Sequence, residues 1–235
     1  DRYNSVLNSV KLHNEKWLDR EILISNIAST RSWLEHLGWF DYLCSSHLIY
    51  PRLVKLFYVF LEKTTSFVAK LFVLGNAVEI TPVFIAETLG IPCTSITHFN
   101  DIEKSDALEI CLERFDINPL MTVPSIHLPI ATRKLLFLIT NTSLPREGSH
   151  TLPSERDLNL VGCMKNVTLV NLSYLIVNHI LSRPNHLPYL MLISRILSSL
   201  NLDIKDEYNV KPKTKQLINK ASFRSCNIKF EDGLW

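Results

Sequence analysis

A chain of 235 residues with 46% apolar and 20% charged residues has the make-up of a folded globular domain and not of a disordered one. Its 25 Lys and Arg are nearly balanced by 23 Asp and Glu, and the resulting net charge of +2 excludes the strongly basic balance of a dedicated nucleic-acid binder. Six glycines against eleven prolines argue against a glycine-rich all-β architecture.

Residues 1–16 are mixed and polar, as in a short helix or an arm. From Trp17 to Glu35 the apolar residues Ile22, Ile24, Ile27, Trp33 and Leu34 recur at helical spacing, with Ser25, Ser29 or Ser32 available to cap a restart. Trp33, Leu37, Trp39 and Phe40 form an aromatic-rich cluster broken by Gly38. Tyr50-Pro51 opens the clearest helix, because proline suits the first helical position. Leu53, Val54, Leu56, Phe57, Phe60 and Leu61 line one face of it, with Arg52, Lys55, Glu62 and Lys63 mostly opposite.

A β-hairpin comes next: Phe67 to Leu74 is β-rich, Gly75-Asn76 is a two-residue turn pair, and Ala77 to Ile80 returns. Thr81-Pro82 then supplies a cap and an N1 proline for a helix through Leu89, which Gly90 closes and Ile91-Pro92 prevents from continuing. Cys93 to Lys104 reads as a loop, Asp106 to Phe115 as a short helix, and Asp116 to Pro129 as a proline-punctuated connection. Ile130 to Ile139 is a strongly apolar helix carrying Arg133 and Lys134, and Asn141 to Pro153 a polar loop. Ser154 with Asp157 resembles a capping box for a helix to about Cys163. Thr168 to Ser182 and Leu187 to Leu200 are two more helices, and the short turn between them implies an antiparallel pair. From Asp203 the chain is polar, with Lys211, Lys213, Lys215 and Lys220, as in a mobile or docking tail. The sum is a mainly α, compact multi-helix domain over residues 1–202, with about eight helices and one small two-stranded hairpin, and a tail over 203–235.

Little in this pattern carries chemistry. Cys44, Cys93, Cys111, Cys163 and Cys226 stand singly, so there is neither a disulfide framework nor a CxxC motif, which fits a reducing, intracellular setting in cytoplasm or nucleus. The sequons at Asn141, Asn166 and Asn171 read as chance matches, two of them in or beside a predicted helix. His13, His36, His47, His98, His127, His150, His179 and His186 include no HExxH and no i, i+4 pair, so no metal is expected. Gly148-Ser149-His150 lacks the second glycine of a nucleophile elbow, and a Cys–His pair assembled only by the fold is the one enzymatic exception left open. Six dispersed glycines cannot build a phosphate cradle, so no cofactor is implied. Carboxylate pairs such as Asp206-Glu207 and Glu231-Asp232 lie in the polar tail and read as solvating charge.

Nucleic acid could meet Arg52 and Lys55 with Lys63 and Lys70, Arg133 with Lys134, and the tail lysines Lys211 and Lys213. Each patch is small and interspersed with acidic residues, as on ordinary solvated helix faces. No apolar stretch reaches the ~20 residues of a membrane span, so no membrane partner is expected. The chain opens on Asp1, as a fragment or trimmed chain would.

Three strings go beyond composition: Tyr50-Pro51-Arg52-Leu53-Val54-Lys55-Leu56-Phe57-Tyr58, then Val73-Leu74-Gly75-Asn76-Ala77-Val78-Glu79-Ile80-Thr81, then Ile85-Ala86-Glu87-Thr88-Leu89-Gly90-Ile91-Pro92. Together they resemble the "putative plant transposon protein" domain of plant retroelement and envelope-like proteins, and more distantly the plant mobile domain. The similarity covers residues 33–204, with Lys55-Leu56 standing where an acidic residue often precedes Phe-Tyr. It implies a plant source and a transposable-element origin, and it carries over no catalytic residues. The expected role is a non-enzymatic module for protein interaction or self-association, the alternative a nucleic-acid-binding accessory domain.

Overall fold

A computed structural model describes residues 15–22, 28–65, 67–94, 104–115, 118, 121–146, 151–182, 187–200 and 202–224. In chain order the principal elements are β1 (Trp17–Leu18), α1 (Ala28–His36), α2 (Phe40–Leu43), α3 (Pro51–Phe60), β2 (Leu61–Lys63), β3 (Ala69–Val73), β4 (Asn76–Ile80) and α4 (Pro82–Leu89). There follow α5 (Lys104–Leu112), α6 (Ile130–Leu138), a π-helical turn (Ile139–Ser143), α7 (Glu155–Lys165), α8 (Leu172–Ser182), α9 (Leu190–Ser199), β5 (Leu217–Ile218) and α10 (Lys220–Arg224). The protein is mainly α with small sheets, as the residue pattern implies. The described residues gather into two compact units, each built from separated stretches of chain.

The first unit holds residues 15–16, 45–93 and 172–216. Pro51 starts α3, which buries Leu53, Val54, Leu56, Phe57 and Val59. The helix stops one residue before its apolar pattern does. Leu61 turns extended (φ −73°, ψ 118°), and Leu61–Lys63 become β2, a strand absent from the sequence reading because Glu62 and Lys63 carry no β signal. The sheet is therefore three-stranded and antiparallel, in the order β2-β3-β4.

The hairpin corner also lies one residue earlier than expected. Val73 pairs with Asn76, so Leu74 and Gly75 occupy the turn, at φ 47° and 81°. Positive φ at both positions is the type I′ geometry that matches strand twist. Burial of Ala69, Leu71 and Val73 sets this register, because a shift of one would turn those side chains outward. Leucine is a poor tenant of a left-handed position, so Leu74→Asn is expected to stabilise the protein by about 1 kcal/mol, read as a higher urea midpoint. An unchanged or lower midpoint would contradict this account of the corner.

α4 is capped as read: Thr81 Oγ1 accepts from the Phe84 N–H at 3.1 Å, and Gly90 closes the helix at φ 69°. It packs against α8 and α9, and α9 against α3. The start of α9 is unusual. Tyr189 stands at the N-cap in a left-handed conformation (φ 66°) and provides no side-chain cap. The cap comes from Glu15, whose Oε2 accepts from the N–H groups of Met191 (2.8 Å) and Leu192 (3.2 Å). Gln216 donates in turn to the Glu15 backbone carbonyl at 3.1 Å, and Ile49 pairs with Val210.

The second unit holds residues 17–44, 94–171 and 217–224 of those described. The capping box opening α7 is present in full, Ser154 and Asp157 each accepting from the other's backbone N–H. α7 packs against α5, α6 and α1. Lys165 near its end donates to the Ile110 carbonyl (2.8 Å), Thr132 Oγ1 (3.2 Å) and Glu113 Oε1 (2.7 Å), which ties three helices together.

Two stretches differ from the sequence reading here. The polar loop expected from Asn141 begins as a buried π turn. Thr140, Asn141 and Thr142 satisfy themselves by donating to the carbonyls of Leu136, Phe137 and Leu138, four residues back, so polar side chains extend the helix instead of ending it. The expected tail from Asp203 is also built into the fold. Leu217–Ile218 pair in parallel with Trp17–Leu18, and Phe223 is fully buried with its ring 5.5 Å from that of Phe137. Single apolar residues spread through a polar stretch leave no period to read.

Candidate interaction surface

β3 alternates strictly, with Ala69, Leu71 and Val73 buried and Lys70 and Phe72 exposed. The register then sorts the outer face of the sheet into two rows. Glu62 and Glu79 stand opposite Lys70 on its two sides, a charged row in which each neighbour is of opposite sign. Ala77 stands opposite Phe72, and Phe60 is the last residue of α3, next to the start of β2. Phe72 is 60% exposed, Phe60 45% and Leu74, at the corner, 42%. An isolated exposed leucine or phenylalanine is ordinary, whereas several on one small sheet form an apolar patch.

The sheet also ends in an open edge. Among the described residues β4 pairs only with β3. A two-residue loop makes the flanking pair, Val73 with Asn76, the hydrogen-bonded kind, so Leu71 with Val78 and Ala69 with Ile80 also exchange bonds. Ala77 and Glu79 therefore aim their backbone N–H and C=O groups away from β3. No proline or bulge guards this edge.

The basic residues fall differently from the sequence expectation. Arg52, Lys55, Lys211 and Lys213 lie in the first unit, Arg133 and Lys134 in the second. Arg52 is ion-paired with Glu207, and Lys55 is half-buried. Lys63 and Lys70 are exposed, the latter between its two glutamates. Lys211 and Lys213 are exposed. Arg133 is half-buried and Lys134 only 4% exposed, with desolvation lowering its pKa to about 8. Lys134 thus lies on the buried side of α6, unlike the exposed Lys211 and Lys213.

The thiols are poor nucleophiles where burial raises their pKa: Cys44 to about 11, Cys163 to about 11 and Cys111 to about 12. Cys93 is exposed, and Cys226 lies outside the described residues. His179 is buried and bonded to the Tyr189 hydroxyl at 2.8 Å; His47 bonds Ser198 at 3.2 Å, and desolvation lowers its pKa. His13, His98, His150 and His186 lie outside the described residues, as does Glu231-Asp232. Among the described residues no cluster of three or more His, Cys, Asp or Glu is placed to hold a metal ion, and no helix is long and apolar enough to cross a membrane. The side-chain amides of Asn141 and Asn171 are buried and donate to the carbonyls of Phe137 and Thr94, so as folded neither is presented as a glycan acceptor; Asn166 is exposed. In the second unit a groove of about 500 Å³ is lined by Asp19, Glu21, Lys220 and Arg224 among others, with no excess of either sign.

The exposed row was not singled out from sequence. Its trace is the period-2 placement of Lys70 and Phe72 between buried residues, which shows only once the inner face is known.

Residues 35–203, well over half of the chain, match the family model described as a putative plant retrotransposon-related domain. No curated protein and no solved structure matches the chain. The matched span contains the proline-started helix, the hairpin and the Thr81-capped helix of the first unit, with the capping-box helix of the second. The chain belongs to the plant retrotransposon-related domain family.

Proposed function

We propose that the chain is a non-enzymatic protein-interaction or self-assembly module of a plant transposable-element protein, acting through the outer face of its three-stranded sheet. The observation that carries this reading is the exposed cross-strand pair Phe72 and Ala77, with exposed Leu74 at the corner and Phe60 at the end of α3, held beside the alternating charges of Glu62, Lys70 and Glu79. A rigid apolar row next to a charged one offers burial for affinity and charge for orientation. The raised thiol pKa values speak for structural rather than nucleophilic cysteines. The exposed Lys211 and Lys213 are what favours the second reading, a nucleic-acid-binding accessory role.

Benzoylphenylalanine placed at position 72 tests the reading directly. Irradiation in plant extract is expected to give protein adducts, a second copy of the chain included. The same group at Glu155, exposed at the start of α7, is expected to give few or none. Adducts sensitive to nuclease, with anisotropy of short DNA or RNA that falls steeply with salt, would favour the second reading. A position 72 that yields no more protein adducts than position 155 would overturn the first.

A further inference from the structure

The open edge of β4 has a symmetry of its own. Its two outward-facing residues, Ala77 and Glu79, flank Val78, and each offers one donor and one acceptor on the same side. We propose that two copies of the chain join by antiparallel pairing of their β4 edges about a two-fold axis at Val78. This rests on the reading of the sheet as an interaction surface, and names a second copy as its partner.

The pairing follows from the ladder geometry. Ala77 of each copy exchanges both backbone hydrogen bonds with Glu79 of the other, and the two Val78 residues meet as the non-bonded pair between them. Bonded and non-bonded pairs then alternate as an antiparallel ladder requires. On the outer face each Glu79 stands opposite an alanine, so no like charges are directly opposed, and each keeps its own Lys70 across the strand. An axis through Val78 closes the contact as a dimer and leaves no repeat from which a fibre could grow. The joined sheets make one continuous sheet whose outer surface carries both copies of Phe72.

Strands this short bury less than the ~1,200 Å² of a standard interface, so the dimer is expected to be weak, with a dissociation constant on the order of 10 µM to 1 mM. Sedimentation equilibrium of the intact chain over that concentration range measures it, with Ala77→Pro and Glu79→Pro as variants. Each proline deletes an outward-facing N–H and leaves the bonds to β3 in place. Wild type should dimerise, and either variant should weaken dimerisation by about 10-fold or more while keeping its far-UV circular dichroism. Transfer of magnetisation between the α-protons of Val78 in a mixture of differently labelled wild-type copies should report the axis without any variant. A wild type that stays monomeric throughout, or a dimer without the Val78 contact, would overturn the pairing. So would folded proline variants that dimerise like wild type. If both variants misfold, the Val78 contact decides. Protein adducts at position 72 from a chain that is monomeric when pure would remove this pairing and leave the interaction reading standing.

Discussion

Replacing Phe223 by alanine is expected to destabilise the protein by about 3–5 kcal/mol, the range for emptying a fully buried aromatic site. The phenylalanine has no exposed surface, and its ring lies against Phe137 of α6. It is held by the short helix α10, whose start is fixed by reciprocal bonds between Asn219 and Ser222: the Ser222 N–H donates to Asn219 Oδ1 and the Asn219 N–H to Ser222 Oγ, both at 3.1 Å. Urea unfolding followed by circular dichroism measures the loss, and Phe223→Leu should recover much of it by refilling the volume. A change below about 1 kcal/mol would mean that residues beyond 217 contribute little to the second unit.

Glu15 is the second site where one substitution should have a large effect, and here the sign depends on pH. The carboxyl group is 4% exposed, and burial raises its pKa from 4.5 to about 7 against the opposing pull of the Met191 and Leu192 N–H groups. The folded protein therefore binds a proton that the unfolded chain has released between pH 4.5 and 7. Stability is greatest below the unfolded value and falls as pH rises through 7, by up to about 3 kcal/mol in all. Tyr58, half-buried, has its pKa raised mainly by desolvation and further by the Glu15 charge, so its hydroxyl stays protonated and donates to the Pro188 carbonyl at 2.6 Å.

Glu15→Gln keeps an oxygen to cap α9 and removes the titration. Its unfolding free energy is expected to vary less between pH 5 and 8 than that of wild type, and to match or exceed it at pH 8. Glu15→Ala leaves two buried N–H groups without an acceptor and should cost about 2–4 kcal/mol at pH 6. Parallel pH profiles for wild type and Glu15→Gln would show that the carboxyl group is not the titrating site.

Where local signals agreed, the sequence sufficed. Pro51, the Thr81-Pro82 start, the Gly90 stop and the Ser154–Asp157 box each fix an element from within a few residues, and each stands in the structure. What it could not show depends on partners distant in the chain. Glu15 reads as one more polar residue near the start until Met191 and Leu192 are beside it. β2 exists because β3 is there to pair with, and Leu61 leaves its helix for that reason. Asn141 and Thr142 look like loop residues, yet the carbonyls four residues back accept their protons and hold them inside. The surface row was hidden for a related reason: Phe72 is as apolar as its neighbours, and only the register separates what is covered from what is bare.

The parallel pairing of Trp17–Leu18 with Leu217–Ile218 has a consequence for biosynthesis. At about 5–20 residues per second, the partner of β1 is synthesised on the order of 10–40 s after β1 itself. The first unit waits almost as long, since its α9 follows its α3 by more than a hundred residues. Neither unit can close on the ribosome until the segments around Gln216 and Leu217–Ile218 have been made. During that interval β1 offers an unmatched strand to solvent and to neighbouring nascent chains, and the last described residues of the two units, 216 and 224, are made within a few residues of each other.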